Sequence, residues 1–293
     1  MQMDDQEESR NVEDVRGESG GFAFRPAHGI GLGTLAIALI AGWAFGINPL
    51  QVLSLLSGAS VSSVPTAPAP SAPVTSAGED PQLKFVSQVL RSTEQVWGDV
   101  FQAAGRTYEE PRLRIYRDRY PTACGTGDAA AGPFYCSRDR YVYLDLGFFD
   151  LMTRELGAPG QFAHAYVIGH EVGHHVQNLL GIIDKVDAAR ARASEAQSNA
   201  LSVRLELQAD CLAGVWAIRS QQEHGWRLEQ GDVETALNAA AQIGDDTLQR
   251  RERGTVVPES FTHGTSAQRV AWFKRGLQSA AIEGCDTFAR DAP

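Results

Sequence analysis

The segment HEVGH at residues 170–174 places two histidines and a glutamate at fixed spacing in the 293-residue chain. Apolar residues on both sides of it recur every three or four positions, which predicts a helix over residues 160–180. Histidines four positions apart lie on one face of a helix, one turn from each other, so both imidazoles can reach a single metal ion. The segment therefore restricts this part of the chain to a helix that presents a metal site.

Zinc suits this arrangement, and we predict that His170 and His174 are its ligands. Glu171 projects beside the same helix face, where its carboxylate can take a proton from a metal-bound water and pass it to a leaving amine. Zinc lowers the pKa of that water and polarises the carbonyl group under attack. The pattern indicates hydrolysis of an amide bond without a covalent intermediate. The simpler alternative is a solvated helix face.

A catalytic zinc site needs a third protein ligand, and the best candidates are Glu206 and Asp210, which share one face of a downstream helix. Glu206 can bind the zinc while Asp210 accepts a hydrogen bond from the outer ring N–H of a ligand histidine. Apolar neighbours predict that this helix is buried, and a buried carboxylate without a partner is costly. Two alternatives stay open: Asp210 as the ligand in place of Glu206, or both carboxylates paired with Arg204 or Arg219.

The charge of the chain disfavours one class of partner. The formal net charge is -10 and no segment is rich in Lys or Arg. Nucleic acid is therefore not an expected ligand, because its binding depends on neutralising phosphates. A chain of this length can bury one sizeable core, so we expect one main globular domain with appendages. The sequence does not indicate an oligomeric state.

The chain before this domain divides by composition into three segments. Residues 1–28 are polar and charged without apolar periodicity, which predicts a disordered tail. Residues 29–50 begin with an uncharged apolar stretch that is long enough to cross a hydrocarbon core of roughly 30 Å, which predicts one transmembrane helix. Residues 51–81 are rich in Pro, Ser and Ala and predict a flexible linker. The zinc domain is then expected over residues 82–293.

A cleaved signal peptide and a buried core helix are the alternatives to a transmembrane helix. The long acidic tail before the apolar stretch argues against a signal peptide. Arg16, Arg25 and His28 precede the stretch, whereas no Lys or Arg follows it until Lys84. This asymmetry favours a cytoplasmic N-terminus and an extracytoplasmic zinc domain.

The four cysteines of the chain all lie in the expected zinc domain. An even number in an extracytoplasmic domain permits two disulfides. Cys124 and Cys136 flank a Gly-rich segment that closes easily as a loop, so we predict that pair first, and Cys211 with Cys285 by elimination. Four buried thiols are the alternative. No CxxC pair is present, which disfavours a cysteine zinc site.

The rest of the domain is expected to be mostly helical with a small sheet, which is the α+β class. Two short segments with β-favouring residues, 112–116 and 141–146, predict strands that can pair with each other. Apolar periodicity predicts further helices over residues 83–104, 184–220, 232–249 and 266–281.

The motif and the downstream carboxylates together resemble the glutamate-ligand zinc peptidases, the gluzincins. Over nearly its whole length the chain is similar to the bacterial neutral zinc metallopeptidase family. Besides HEVGH, the likeness rests on NVED at residues 11–14, GPFYC at 132–136, LELQADC at 205–211 and THGTSAQR at 262–269.

The resemblance implies a zincin-like fold, zinc as the cofactor and a peptide or protein substrate. Together with the predicted transmembrane helix, the bacterial family leads us to expect a location at the bacterial cell membrane. It also implies that His263 or Arg269 stabilises the tetrahedral oxyanion, because gluzincins place a donor there from a later segment. The long polar stretch before Glu206 departs from the pattern and is expected to form a lid or a helical insertion. The remaining roles that the resemblance implies are zinc ligation by His170, His174 and Glu206, general base and acid catalysis by Glu171, and support of a ligand by Asp210.

The leading hypothesis from the sequence is a membrane-anchored zinc endopeptidase. A membrane-anchored binding or scaffolding protein that keeps the zinc fold without turnover is the alternative. Glu171 weighs against it, because a purely structural zinc site needs no general base. A zinc hydrolase for a non-peptide amide would use the same residues and differ only in its cleft.

Overall fold

A computed structural model describes residues 6–17, 80–128, 132–229 and 231–289. The predicted transmembrane helix, residues 29–50, and nearly all of the predicted linker lie outside the described residues. Of the helices in the described ranges, none combines the length and the apolar character that crossing a membrane requires.

The described residues form a mostly helical domain with a small sheet, as the α+β prediction expects. Its α-helices are α1 (Pro81–Ala103), α2 (Gly147–Arg154), α3 (Gln161–Leu179), α4 (Ile182–Arg190), α5 (Glu195–Glu223), α6 (Asp232–Gln242), α7 (Asp245–Arg253) and α8 (Ser266–Ser279). Its strands are β1 (Val12–Asp14), β2 (Arg112–Tyr116), β3 (Arg119–Thr122), β4 (Gly125–Asp128), β5 (Phe134–Cys136) and β6 (Tyr141–Asp145).

Four of the strands form one sheet in the order β1-β2-β6-β5, and β3 and β4 form a separate antiparallel hairpin. The two strands predicted from sequence, β2 and β6, pair in parallel with Arg112 opposite Tyr141. β1 pairs in parallel with β2, and β5 pairs antiparallel to β6. β6 is therefore an internal strand, and β5 forms the end of the sheet in the described chain.

The prediction that residues 1–28 form a disordered tail was wrong for residues 6–17. Residues 6–17 are ordered against the domain, and Val12–Asp14 is a strand of its sheet. A strand of three residues has no detectable period, and its stability comes from β2 and α1 rather than from its own apolar residues.

Two predictions of a single continuous helix were wrong. The helix predicted over residues 184–220 is two helices, α4 and α5, because Ser194 and Gln197 form a capping box that starts α5. The helix predicted over residues 232–249 divides into α6 and α7 at Gly244. A Cβ on Gly244 would meet the backbone of Ser266, which leads into α8.

Both predicted disulfides are present. Cys124 is bonded to Cys136 and so joins the β3–β4 hairpin to the end strand β5. Cys211 is bonded to Cys285 and holds the C-terminal segment against α5. Gln208 on α5 adds a hydrogen bond from its side-chain amide to the carbonyl oxygen of Cys285, at 2.9 Å.

The core forms around α5, against which both α3 and α8 pack. Four tryptophans are buried in it: Trp97, Trp216, Trp226 and Trp272. Small residues let these helices approach. Gly276 on α8 faces α5 so closely that a Cβ there would overlap the carbonyl oxygen of Cys211. Gly98 on α1 has open space at the same position.

The contrast between these two glycines gives a stability prediction. Gly276→Ala should lower the free energy of unfolding by about 1–3 kcal/mol, because α8 must move away from α5. Gly98→Ala is the matched control and should raise it by roughly 0.8–1 kcal/mol, because alanine favours a helix interior. Denaturant unfolding of the purified variants measures both. Changes of the same sign would contradict the packing of α8 on α5.

Candidate metal centre

The predicted ligands lie on two helices that pack side by side, α3 and α5. Gly173 on α3 makes the close approach possible, because a Cβ there would lie 3.0 Å from the carbonyl oxygen of Ala209 on α5. Glu206 precedes Ala209 by less than one turn, so the approach of the two backbones brings its carboxylate against the histidines of α3.

His170, His174 and Glu206 meet with one ligand atom of each within 4.8 Å of the others. The Nε2 atom of His170 lies 3.1 Å from Oε2 of Glu206, and the Nε2 atom of His174 lies 3.5 Å from Oε1. Two imidazole nitrogens and one carboxylate are a ligand set that zinc uses in catalytic sites, with the fourth position left for water. The residues present therefore fit zinc.

Hydrogen bonds on the outer side of each ring fix which nitrogen faces the ligand cluster. Nδ1 of His170 lies 2.8 Å from Oδ1 of Asp210. Nδ1 of His174 lies 2.8 Å from Oε1 of Gln177, whose amide nitrogen donates to the carbonyl oxygen of Leu205 at 2.7 Å. Since carboxylate and amide oxygens only accept, each Nδ1 carries a proton, which leaves Nε2 as the nitrogen that would bind a metal.

Asp210 is fully buried and is not available as a ligand in place of Glu206. Its two carboxylate oxygens accept hydrogen bonds from Nε and Nη2 of Arg269, both at 2.9 Å. The hydroxyl of Tyr166 donates to the same carboxylate at 2.5 Å. These contacts, with the one from His170, join Asp210 to one of the candidate ligands and leave it turned away from the others.

The charges of these buried groups shift one another's pKa. Burial lowers the pKa of His170, but Asp210 and Glu206 outweigh it and raise the pKa to about 10. Burial raises the pKa of Glu206, but His174 and His170 outweigh it and hold the pKa well below the usual carboxyl range. Burial likewise raises the pKa of Asp210, but Arg269 and His170 lower it to about 2. These contacts keep Glu206 and Asp210 ionised and stabilise positive charge on His170 between them.

Glu171 lies beside the ligands and lines the same cavity, which has a volume of about 680 Å3. Its side chain is buried, and burial raises the pKa of its carboxyl group. A carboxylate with a raised pKa is a stronger base than one in water. The two phenylalanines Phe134 and Phe148, together with Ile183, supply apolar surface to the cavity.

The two residues expected to stabilise an oxyanion occupy different environments. Arg269 is buried, and its guanidinium is held by Asp210 at the back of the His170 ring. His263 also lines the cavity, but its side chain is half exposed. Its Nδ1 lies 3.2 Å from Oδ1 of Asp245, and Oδ2 of Asp245 accepts the backbone N–H groups of residues 262–264. The geometry leaves Nε2 of His263 as the nitrogen available to the cavity.

Several residues of the site were missed in the sequence. The contacts of Tyr166 and Gln177 could have been predicted from helical spacing. Tyr166 lies four positions before His170 and Gln177 lies three positions after His174, so each shares a helix face with its histidine. Asp245 carried none, because its contact with His263 arises only when α7 packs beside the loop before α8.

Residues 1–288 match the model of a protein family described as "Putative neutral zinc metallopeptidase". The chain belongs to this family. The chain is also similar to two uncharacterized proteins, one from Escherichia coli and one from Mycobacterium tuberculosis. The chain is 48% identical to the uncharacterized protein YpfJ of E. coli K12 over 99% of both chains. It is 39% identical to the uncharacterized protein Rv2575 of M. tuberculosis H37Rv over 68% of both chains. No solved structure matches the chain.

Membership of the neutral zinc metallopeptidase family makes the role of Asp210 testable through zinc affinity. Asp210→Asn keeps the side-chain shape but leaves the buried Arg269 without a counter-charge. Zinc affinity should fall roughly 10–100-fold and the free energy of unfolding by about 3–5 kcal/mol. Competition with a chromogenic chelator measures the first, and denaturant unfolding the second.

Asp187→Asn is the matched control, because it removes an exposed carboxylate that lines the same cavity and leaves the ligands untouched. It should retain wild-type zinc affinity. Equal zinc affinity of Asp210→Asn and the wild type would show that Asp210 does not orient His170.

Proposed function

We propose that the chain is a membrane-anchored, zinc-dependent endopeptidase that hydrolyses peptide bonds with water, with Glu171 as general base. The observation that carries the proposal is the convergence of two histidine Nε2 atoms and the Glu206 carboxylate beside Glu171 in one cavity. Membership of the neutral zinc metallopeptidase family supports it.

Each residue of the site has a separate role in the proposed amide hydrolysis. When bound, zinc supplies a Lewis acid that lowers the pKa of water and polarises the scissile carbonyl. Glu171 takes a proton from the attacking water and delivers it to the leaving amine nitrogen, so the products are a carboxylate and an amine. Asp210 and Gln177 keep the histidine rings oriented throughout.

His263 is the better of the two expected oxyanion stabilisers. The hydrogen bond that His263 donates to Asp245 raises the pKa of His263, and burial opposes that shift. A protonated His263 therefore donates from Nε2 towards the negative oxygen that forms when water adds to the carbonyl. Arg269 contributes through Asp210 instead, because that carboxylate already engages its guanidinium.

The end strand β5 offers a place for the substrate backbone. Phe134 and Tyr135 of β5 line the cavity, and β5 is the end of the sheet order, so an extended peptide can add to it as a further strand. Tyr135 fixes β5 to the metal helix, because its hydroxyl lies 2.9 Å from Nδ1 of His175 and accepts from Nδ2 of Asn178 at 2.9 Å. The internal strand β6 is not available for this role.

Two disulfides support an extracytoplasmic location for the domain, because disulfides persist in oxidising compartments. We propose that the chain is anchored at the bacterial cell membrane. The substrate is then a protein or peptide on the outer side of that membrane.

Replacing the general base tests the proposal. Wild-type chain and Glu171→Gln should each hold about one zinc, and only the wild type should cleave a broad pool of unfolded peptides. The variant should be slower by at least about 100-fold in kcat/KM, and chelation should abolish wild-type activity reversibly.

Glu155→Gln is the matched control, because Glu155 is an exposed carboxylate at the same cavity and should leave cleavage unchanged. Zinc binding by all three forms without cleavage by any of them would favour the alternative, a zinc-fold protein that binds without turnover.

The Asp245–His263 pair gives a pH prediction. The pKa of His263 is raised, so its charged form is fully present below the ordinary histidine value of about 6.5 and is lost as pH rises through the raised value. We therefore expect kcat/KM to fall on the alkaline side of the profile. Asp245→Asn removes the main cause of the shift and should move this limb to lower pH.

Asp246→Asn is the control for this profile, because Asp246 accepts hydrogen bonds from Ser266 and does not contact His263. If the alkaline limb of the kcat/KM profile does not move in Asp245→Asn, His263 does not stabilise the oxyanion as proposed.

A further inference from the structure

The segment 6–17, which precedes the predicted transmembrane helix, is part of the domain that follows it. β1 lies in register with β2, with Val12 opposite Leu113 and Asp14 opposite Ile115. Two backbone hydrogen bonds flank the pair. Leu113 donates to the carbonyl oxygen of Asn11 and Val15 donates to that of Ile115, both at 2.9 Å.

The same segment completes a buried polar cluster on α1. Glu94 is only 4% exposed, and its carboxylate accepts hydrogen bonds from the hydroxyl of Ser9 at 2.5 Å and the amide of Asn11 at 2.8 Å. Ser9 and Ser87 also exchange hydrogen bonds, with the backbone N–H of Ser9 donating at 3.0 Å and the hydroxyl of Ser87 at 2.9 Å. Without residues 6–17, a buried carboxylate would lose two of its donors, so this contact is specific.

The two ends of the chain between residues 17 and 80 meet at one place on the domain. Arg16 donates to Asp80 at 2.8 Å, although 64 residues separate them in sequence. Asp80 is also the N-cap of α1 and accepts the backbone N–H of Gln82 at 2.9 Å. Arg16 binds Asp14 of β1 as well, so one cation joins the strand to the start of the first helix.

These contacts decide which sides of a membrane the two parts of the chain can occupy. A single crossing between residues 17 and 80 would place roughly 30 Å of hydrocarbon between β1 and β2. Strand pairing and the Arg16–Asp80 contact act over about 3 Å. The folded sheet and a single crossing therefore exclude each other, whether β1 comes from the same chain or from a second copy.

We infer that residues 6–17 lie on the same side of the membrane as the metal centre. The orientation predicted from sequence, with residues 1–28 in the cytoplasm and residues 82–293 outside, requires β1 to leave the sheet. The disulfides favour the extracytoplasmic side for both parts. This inference does not depend on peptidase activity.

Thiol labelling of the full chain in bacterial membranes tests the inference. All four cysteines are in disulfides, so an introduced cysteine is the single free thiol. Glu8→Cys reports on the N-terminal segment and Glu234→Cys on the domain, and both positions are exposed. A membrane-impermeant maleimide is added to intact spheroplasts and, separately, after detergent lysis.

Both cysteines should react in intact spheroplasts. Reaction of both only after lysis would keep the two parts on one side but move the domain to the cytoplasm. Reaction of Glu234→Cys in intact spheroplasts, with Glu8→Cys reacting only after lysis, would overturn the inference.

A stability measurement on the full chain tests the β1 contacts independently of the membrane. Ser9→Ala removes a donor to the buried Glu94 and should lower the melting temperature by several degrees. Arg10→Ala, at the adjacent exposed position, should leave it unchanged. Equal melting temperatures for the two variants would show that residues 6–17 do not occupy the sheet in solution.

Discussion

The carboxylate of Asp210 joins the three helices on which the metal centre depends. It lies on α5, holds Tyr166 and His170 of α3, and is neutralised by Arg269 of α8. A buried carboxylate is tolerated only when it is paired, so the packing of α8 and the orientation of the proposed zinc ligand His170 depend on the same interaction. Stability and metal chemistry are therefore coupled at this residue.

The sequence predicted the three candidate ligands that the structure brings together, because they follow local rules. His170 and His174 are fixed by helical spacing, and Glu206 follows from a second helix with carboxylates one turn apart. Asp245 escaped prediction, because its partner His263 is distant in sequence and only the tertiary fold joins them. Arg269 was assigned to the oxyanion by resemblance, but the structure places it against Asp210, a contact that no sequence spacing encodes.

The long helices were predictable for the same reason, since each carries an apolar face over several turns. The two breaks were not predictable, because the sequence around them keeps a helical pattern. A capping box starts α5 afresh, and a close approach to another backbone separates α6 from α7 at Gly244. Strands β1, β3, β4 and β5 were also missed. They are three or four residues long, and pairing with neighbours decides their structure rather than their own composition.

The most direct test of the account is zinc-edge X-ray absorption of the purified, disulfide-bonded chain. The account predicts about one zinc per chain, with two imidazole nitrogens and oxygen at roughly 2.0–2.2 Å and no sulfur neighbour, since all four cysteines are in disulfides. His170→Ala should remove one imidazole from the spectrum. A spectrum without two imidazole ligands, or a chain that holds no zinc, would contradict the metal centre formed by His170, His174 and Glu206.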